Sequence, residues 1–246
     1  MRRCSANYRS ALVIALVALS VLVILLACLD RRTPDNAANS GPSEDPDMVI
    51  IELPEPRHDG DMSVEQSLYQ RRSIRTYASK PLTLQEVAQL LWAAQGITDP
   101  RGLRTAPSAG ATYPLELYVA VGNVDDLSPG VYRYEPDQHR LIRTTQGDRR
   151  TQLAHAALGQ SFVGEGAAVF VFTAVYERTT TRYGDRGLRY VYMEAGHAAQ
   201  NLYLQAAAMN LGTVVVGAFH DGQVAEILDL PGNEQPLYIM PVGHIG

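Results

Sequence analysis

A chain of 246 residues with 46% hydrophobic content is long enough to bury a core in one domain or two. Its formal charge is −5, from 26 acidic and 21 basic residues. Without a dense Lys/Arg patch to meet a phosphate backbone, nucleic acid is excluded as a partner. The only cysteines, Cys4 and Cys28, leave everything after them without a disulfide, a thiolate metal site or a cysteine nucleophile.

Arg2, Arg3 and Arg9 precede an apolar run from Ala11 to Leu29 that only Ser20 interrupts. At ~1.5 Å per residue that run spans about the ~30 Å core of a bilayer, and it lacks the polar positions of a soluble amphipathic helix. Two readings follow for residues 1–29. Leu25-Leu26-Ala27-Cys28 resembles a bacterial lipobox, which makes Cys28 a lipidation site. An uncleaved signal anchor is the alternative. Either attaches the chain to a bacterial cell membrane with the globular part outside the cytoplasm. Residues 30–60 read as a linker, because Asp, Asn, Ser, Gly and Pro dominate from Thr33 to Pro46. Met48 to Leu53 adds a short extended segment, and one domain is expected over 61–246.

Ser63 and Gln66 have the spacing of a capping box and open a helix towards Arg71. Thr83 and Glu86 form a second box, behind which Val87, Leu90, Leu91 and Ala94 share a face up to Gly96. Leu115 to Val121 reads as a strand, and Val131–Tyr134 with Leu141–Thr144 as a hairpin. Ala167 to Val175 is apolar on both faces and predicts a central strand. Tyr190 to Met209 predicts a long helix. Thr213–Val216 and Leu237–Val242 predict two buried strands, with a helix over Gln223–Leu228 between them. Interleaved helices and strands around one sheet give an α/β or α+β sandwich.

Three segments carry chemistry. Arg71-Arg72-Ser73-Ile74-Arg75 offers guanidinium forks and a hydroxyl suited to a nucleotide phosphate, although a solvated basic turn has the same composition. Pro107-Ser108-Ala109-Gly110-Ala111-Thr112-Tyr113-Pro114 is a loop of small residues that would let backbone approach a flat ring. Val215-Val216-Gly217-Ala218-Phe219 opens a buried strand onto small residues whose N–H groups would reach a ring nitrogen. Alone, the last two are an ordinary loop and a strand end.

In this order, together with Glu194-Ala195-Gly196-His197-Ala198-Ala199-Gln200-Asn201-Leu202 and Met240-Pro241-Val242-Gly243, these segments resemble the nitroreductase family of FMN enzymes over roughly residues 66–243. The match is closest to the SagB-type branch of azoline dehydrogenases. The resemblance implies an α+β, three-layer sandwich with a central mixed sheet flanked by helices. It also implies a homodimer with one FMN in each of two interface sites. Arg71, Arg72, Ser73 and Arg75 would hold the phosphate and ribityl chain. Pro107, Ser108 and Ala109 would lie against the isoalloxazine from the partner subunit, and Val216, Gly217 and Ala218 would bring main-chain N–H to flavin N5. His244 stands where the family often has a Lys or Arg to close the phosphate site. The branch's catalytic Lys-Tyr pair is Arg182-Tyr183 here, and arginine cannot act as a base.

The histidines lack metal-ligand spacing, and Glu194 with His197 is a single copy of a pattern that di-iron sites need twice, so no metal is expected. Three functions remain at this point: an FMN oxidoreductase acting on a small molecule or peptide, a flavin-binding protein without turnover serving as a cofactor store or partner module, and a structural surface lipoprotein.

Overall fold

Seven strands, Ile50–Glu52 (β1), Leu115–Val121 (β2), Gly130–Glu135 (β3), Arg140–Gln146 (β4), Ala168–Ala174 (β5), Leu211–Thr213 (β6) and Gln235–His244 (β7), form one sheet in a computed structural model that describes residues 49–246. The order across the sheet is β1-β4-β3-β2-β5-β7-β6. The apolar run, Cys28 and the linker up to residue 48 lie outside the described residues. Among those described, no helix is long and apolar enough to cross a membrane.

The expected mixed sheet is instead antiparallel at every ladder. Parallel pairing is confined to isolated bridges, Ser73 with Thr213 and Leu82 with Val124. The β3–β4 hairpin, the short β2–β3 connection and the helix-containing β6–β7 connection each return the chain in the opposite direction beside the preceding strand.

Strand alternation sorts side chains into two cores. Leu117, Val119, Phe170 and Phe172 face one side, where they join Leu90 and Leu91 of the helix Leu84–Gln95 (α2) and Val191 and Leu202 of the helix Arg186–Ala208 (α6). Tyr118, Ala120, Val169 and Val171 face the other, with Leu153, Val163, Val224 and Leu228. Those four belong to the short helices Arg150–Ala156 (α3), Phe162–Glu165 (α4) and Asp221–Leu228 (α7). The result is three layers, with β5 wholly buried at the centre as its composition predicts.

Both capping boxes are present: Ser63 with Gln66 starts the helix Val64–Gln70 (α1), and Thr83 with Glu86 starts α2, which Gly96 caps. The domain begins earlier than the boundary read at 61. Ile50–Glu52 pairs with Arg140–Ile142, and the Arg57 N–H donates to Gln89 Oε1 at 2.8 Å. Residues 50–57 therefore belong to the fold and not to the linker.

α6 starts at Arg186, ahead of the expected Tyr190, because buried Gly187 lets the first turn close against Thr179 and Thr180. The strand expected over Thr213–Val216 stops at Thr213. Continuing the Thr213–Val242 and Val216–Ile239 register sets Pro241 opposite Val214, and proline has no N–H to donate. The Val215 N–H turns instead to the Tyr203 hydroxyl, at 2.9 Å.

Candidate functional site

The arginine turn follows α1 and is tied to the end of β6. Arg71 caps α1 through its N–H to the Ser67 carbonyl, and the Ile74 N–H donates to the Thr213 carbonyl at 2.9 Å. The Arg71 guanidinium lies 5.1 Å from the centre of the Tyr203 ring, and that of Arg75 lies 5.6 Å from Phe162 on α4. Arg72 spends one nitrogen on its own turn, donating to the carbonyls of Tyr69 and Arg71 at 2.9 and 2.8 Å. Among the described residues, none of the three pairs with a carboxylate.

Tyr203 joins this turn to the segment after β6. Its hydroxyl is 3.0 Å from Ser73 Oγ and accepts the Val215 N–H. Val216, buried, exchanges two backbone hydrogen bonds with Ile239, and the chain then emerges at exposed Gly217 and Ala218. A Cβ added at Gly217 would meet nothing closer than the Tyr238 ring at 3.8 Å, so a planar ligand can approach the backbone there. His244 lies at the end of β7. Its Nε2 is 3.6 Å from Glu86 Oε1 on α2 and makes no hydrogen bond.

The loop of small residues forms a second cluster. Ala109–Ala111 makes a single 3-10 turn, with φ of 62° at Gly110 and 53° at Ala111, and Tyr113 follows at 44°. Left-handed backbone at Ala111 and Tyr113 costs about 1–3 kcal/mol each and persists only where neighbours hold it. Four contacts do so. Ser108 Oγ accepts the Tyr113 N–H at 2.9 Å, and Arg104 stacks 4.6 Å from the Tyr113 ring centre. Thr112 shares a hydrogen bond with Thr179 of the helix Glu177–Tyr183 (α5), and Arg182 donates to the Gly110 carbonyl at 3.1 Å. A Cβ at Gly110 would come within 2.5 Å of the Tyr183 hydroxyl, so the pair sits directly on this turn. Tyr183 is fixed by an edge contact with Tyr190 and by the Arg182 guanidinium over its ring.

Glu194 lies under the same loop. It is 3% exposed, and burial pushes its carboxyl up to about 7 against the opposing pull of the Ser108 hydroxyl and the Arg104 charge. Sequence reasoning weighed it only as half of an incomplete metal pattern and missed both Tyr203 and Arg104. The available signal was a hydroxyl and a carboxyl on the otherwise apolar stripe of α6.

The two clusters occupy different sides of that helix. Glu194 and Tyr203 stand about nine residues apart, hence roughly 14 Å along the axis and about 180° around it. They mark the two borders of the buried stripe that Val191, Ala195, Ala198, Leu202 and Ala206 fill.

The residues fit a flavin mononucleotide. The arginines lack carboxylate partners, buried Thr213 beside Ser73 has a hydroxyl with no hydrogen-bond partner, and backbone lies open at Gly217. Among the described residues no group of three His, Cys, Asp or Glu side chains can hold a metal.

The model of the nitroreductase family matches residues 68–244. MJ1384 of Methanocaldococcus jannaschii, which bears a nitroreductase name, is 50% identical over 80% of this chain and 97% of its own. A crystal structure described as a nitroreductase from Ralstonia eutropha superposes with a TM-score of 0.71 at 34% identity, covering 80% of this chain and 90% of that one. Two shorter matches bear on chemistry. The NADPH-flavin oxidoreductase of Vibrio harveyi is 33% identical over 42% of this chain and 47% of its own. The microcin B17-processing protein McbC of Escherichia coli is 28% identical over 61% of this chain and 57% of its own.

Proposed function

The chain belongs to the nitroreductase family, and we propose that it is an FMN-dependent oxidoreductase whose flavin site is shared between two copies. The observation that carries this reading is the arginine turn free of carboxylates, tied by Tyr203 to the open backbone at Gly217. Arg71 and Arg75 would bind the phosphate dianion with charge-assisted hydrogen bonds, and Ser73 would add its hydroxyl. The N–H groups of Gly217 and Ala218 would face flavin N5. Bound FMN supplies hydride transfer through that atom, while the protein supplies orientation and electrostatics.

The opposite placement of the two clusters on α6 supports a shared site. Pro107, Ser108 and Ala109 would cover the ring of the flavin held by the partner's arginine turn. Exposed Leu188, Tyr192 and Met193 on α6, with Leu68 and Tyr69 on α1, give the apolar surface for that contact. Tyr183, half-buried beside the loop, would hold a proton on its phenolic oxygen for the substrate, with Arg182 as its orienting cation. The relationship to McbC supports a peptide as well as a small molecule as substrate. The N-terminal anchor would keep the domain on the outer face of a bacterial membrane, through Cys28 or an uncleaved helix.

Titration of the apoprotein with FMN and riboflavin, followed by fluorescence quenching, tests the reading. Arg71→Ala should weaken FMN binding roughly ten- to a hundredfold and leave riboflavin almost unchanged. No FMN binding by the wild type overturns the assignment. Binding without turnover under any reductant leaves the cofactor-store alternative in its place.

A further inference from the structure

We propose that Arg178 is a positioning residue that clamps the strained end of the small-residue loop to α5 and to the sheet, and so sets where Ser108 and Ala109 can meet a flat ring. Tyr113 carries the strain. Its φ is 44°, and it precedes Pro114, whose ring favours extended backbone at the residue before it. Three of its groups are held. The N–H donates to Ser108 Oγ at 2.9 Å, the ring lies 4.6 Å from the Arg104 guanidinium, and the carbonyl accepts from Arg178 Nη1 at 3.0 Å. Ser108 and Arg104 belong to the same stretch of chain as Tyr113 and would move with it. Among the described residues, Arg178 is the one that hydrogen-bonds Tyr113 from outside that stretch.

Two other contacts from α5 reach the same turn. Arg182 donates to the Gly110 carbonyl and Thr179 shares a hydrogen bond with Thr112, and both tie the turn to α5 alone. Arg178 goes further, because its Nη2 pairs with Glu116 Oε1 of β2 at 2.5 Å. The Glu116 side chain is 12% exposed, and its other oxygen lies 3.9 Å from Arg133 of β3, which pairs with Glu135 at 2.7 Å. One planar fork therefore joins the loop, α5 and the sheet, a geometry that the compact ammonium of lysine does not reproduce. The Arg178 side chain is 41% exposed, and ion pairs open to water contribute little to global stability. Arg178 therefore acts locally, on the one left-handed residue of the loop that proline follows.

The proposal rests on the FMN reading only for its consequence, which is a fixed seat for the flavin ring. Its test follows hydrogen exchange of the backbone amides in the flavin-free full chain. Arg178→Gln should speed exchange over 111–113 roughly fivefold, the effect of a lost charge-assisted hydrogen bond discounted for exposure, with β5 and α6 unchanged. Arg178→Lys keeps the charge without the fork and should restore only part of the protection. Glu116→Gln weakens the tie to β2 while sparing the one to Tyr113. It should give an intermediate rate, and it serves as the test should the first variant fold poorly. Unchanged exchange over 111–113 in either glutamine variant, or an increase spread evenly over the domain, overturns the proposal. Full protection in Arg178→Lys would overturn the role of the fork. Added FMN should slow exchange over 108–111 in the wild type. A variant effect that persists where FMN slows nothing would sink the flavin reading at this loop and leave the clamp standing.

Discussion

The hydroxyl of Tyr203 on α6 lies 3.0 Å from Ser73 Oγ in the arginine turn. That one contact spans 130 residues of chain and joins the phosphate-binding candidate to the segment leading to Gly217, because the same hydroxyl accepts the Val215 N–H. Tyr203→Phe would leave the Val215 N–H without its acceptor, at a cost of about 1–3 kcal/mol, and would free Ser73. The variant should unfold at lower urea and bind FMN more weakly, with its secondary structure by circular dichroism unchanged. Unaltered stability and FMN affinity would mean the hydroxyl only fills space.

Gly110 is the point where Arg182 and Tyr183 meet the small-residue loop. Its φ of 62° and the 2.5 Å approach of the Tyr183 hydroxyl to a notional Cβ make alanine unwelcome there on two counts. Gly110→Ala should displace Tyr183 and lower turnover by tenfold or more on the scale of ~1.4 kcal/mol per decade, with FMN affinity changed much less. Near-normal kcat would remove Tyr183 from the proton-transfer role.

A shared site would tie oligomerisation to cofactor retention. Tyr192 and Met193 are 56% and 53% exposed on α6. A Tyr192→Glu, Met193→Glu variant of residues 49–246 should sediment as a monomer and lose FMN together. The segment must start by residue 49, because β1 supplies the sheet's edge strand. A monomer that keeps one FMN per chain would contradict the two-copy arrangement.

Much of this fold is written in short-range signals, and the exceptions have physical causes. The capping boxes at Ser63 and Thr83, the apolar run of β5 and the hairpin around Pro136 are local patterns, and each matches its element. The failure at Val214–Val216 is long-range: those valines read as strand, but Pro241, distant in sequence, ends the pairing. The helices α3, α4 and α5 carry no such local signal, because none has a side-chain N-cap or a long apolar stripe. At the site, the arginine turn and the small-residue loop were legible as motifs. Tyr203, Arg104 and the loading of Glu194 were not, since a buried polar group on a helix gains meaning only from what the fold brings opposite it. His244, chosen for its position in the chain, faces Glu86.

The apolar run from Ala11 to Leu29 makes a separate prediction. If Leu25-Leu26-Ala27-Cys28 is a lipobox, Cys28→Ser should block lipidation and processing and raise the apparent mass of the membrane-bound form. Unchanged mass and membrane retention would instead identify an uncleaved signal anchor. Either outcome leaves the globular domain's chemistry untouched.

The last prediction concerns stability and follows from the sign of one buried carboxyl. Burial raises Glu194 from an ordinary value of 4.5 to about 7. Between those values the folded protein binds a proton that the unfolded chain has released. Stability from this group is therefore fully present below about pH 4.5 and is lost as pH rises through about 7. The loss is on the order of 3 kcal/mol, since each tenfold change in proton affinity is worth ~1.4 kcal/mol. Glu194→Gln keeps the shape and hydrogen-bonding capacity of the neutral acid but has no proton to release. Urea midpoints should therefore match near pH 4 and diverge by about pH 8, with the glutamine variant the more stable there. The difference between the two proteins is the quantity to read. Glu234, also raised by burial, tilts both curves the same way, while Asp99 and Asp148, both lowered, tilt them oppositely at more acid pH. If the two midpoints run parallel across the range, Glu194 is not held as a neutral acid.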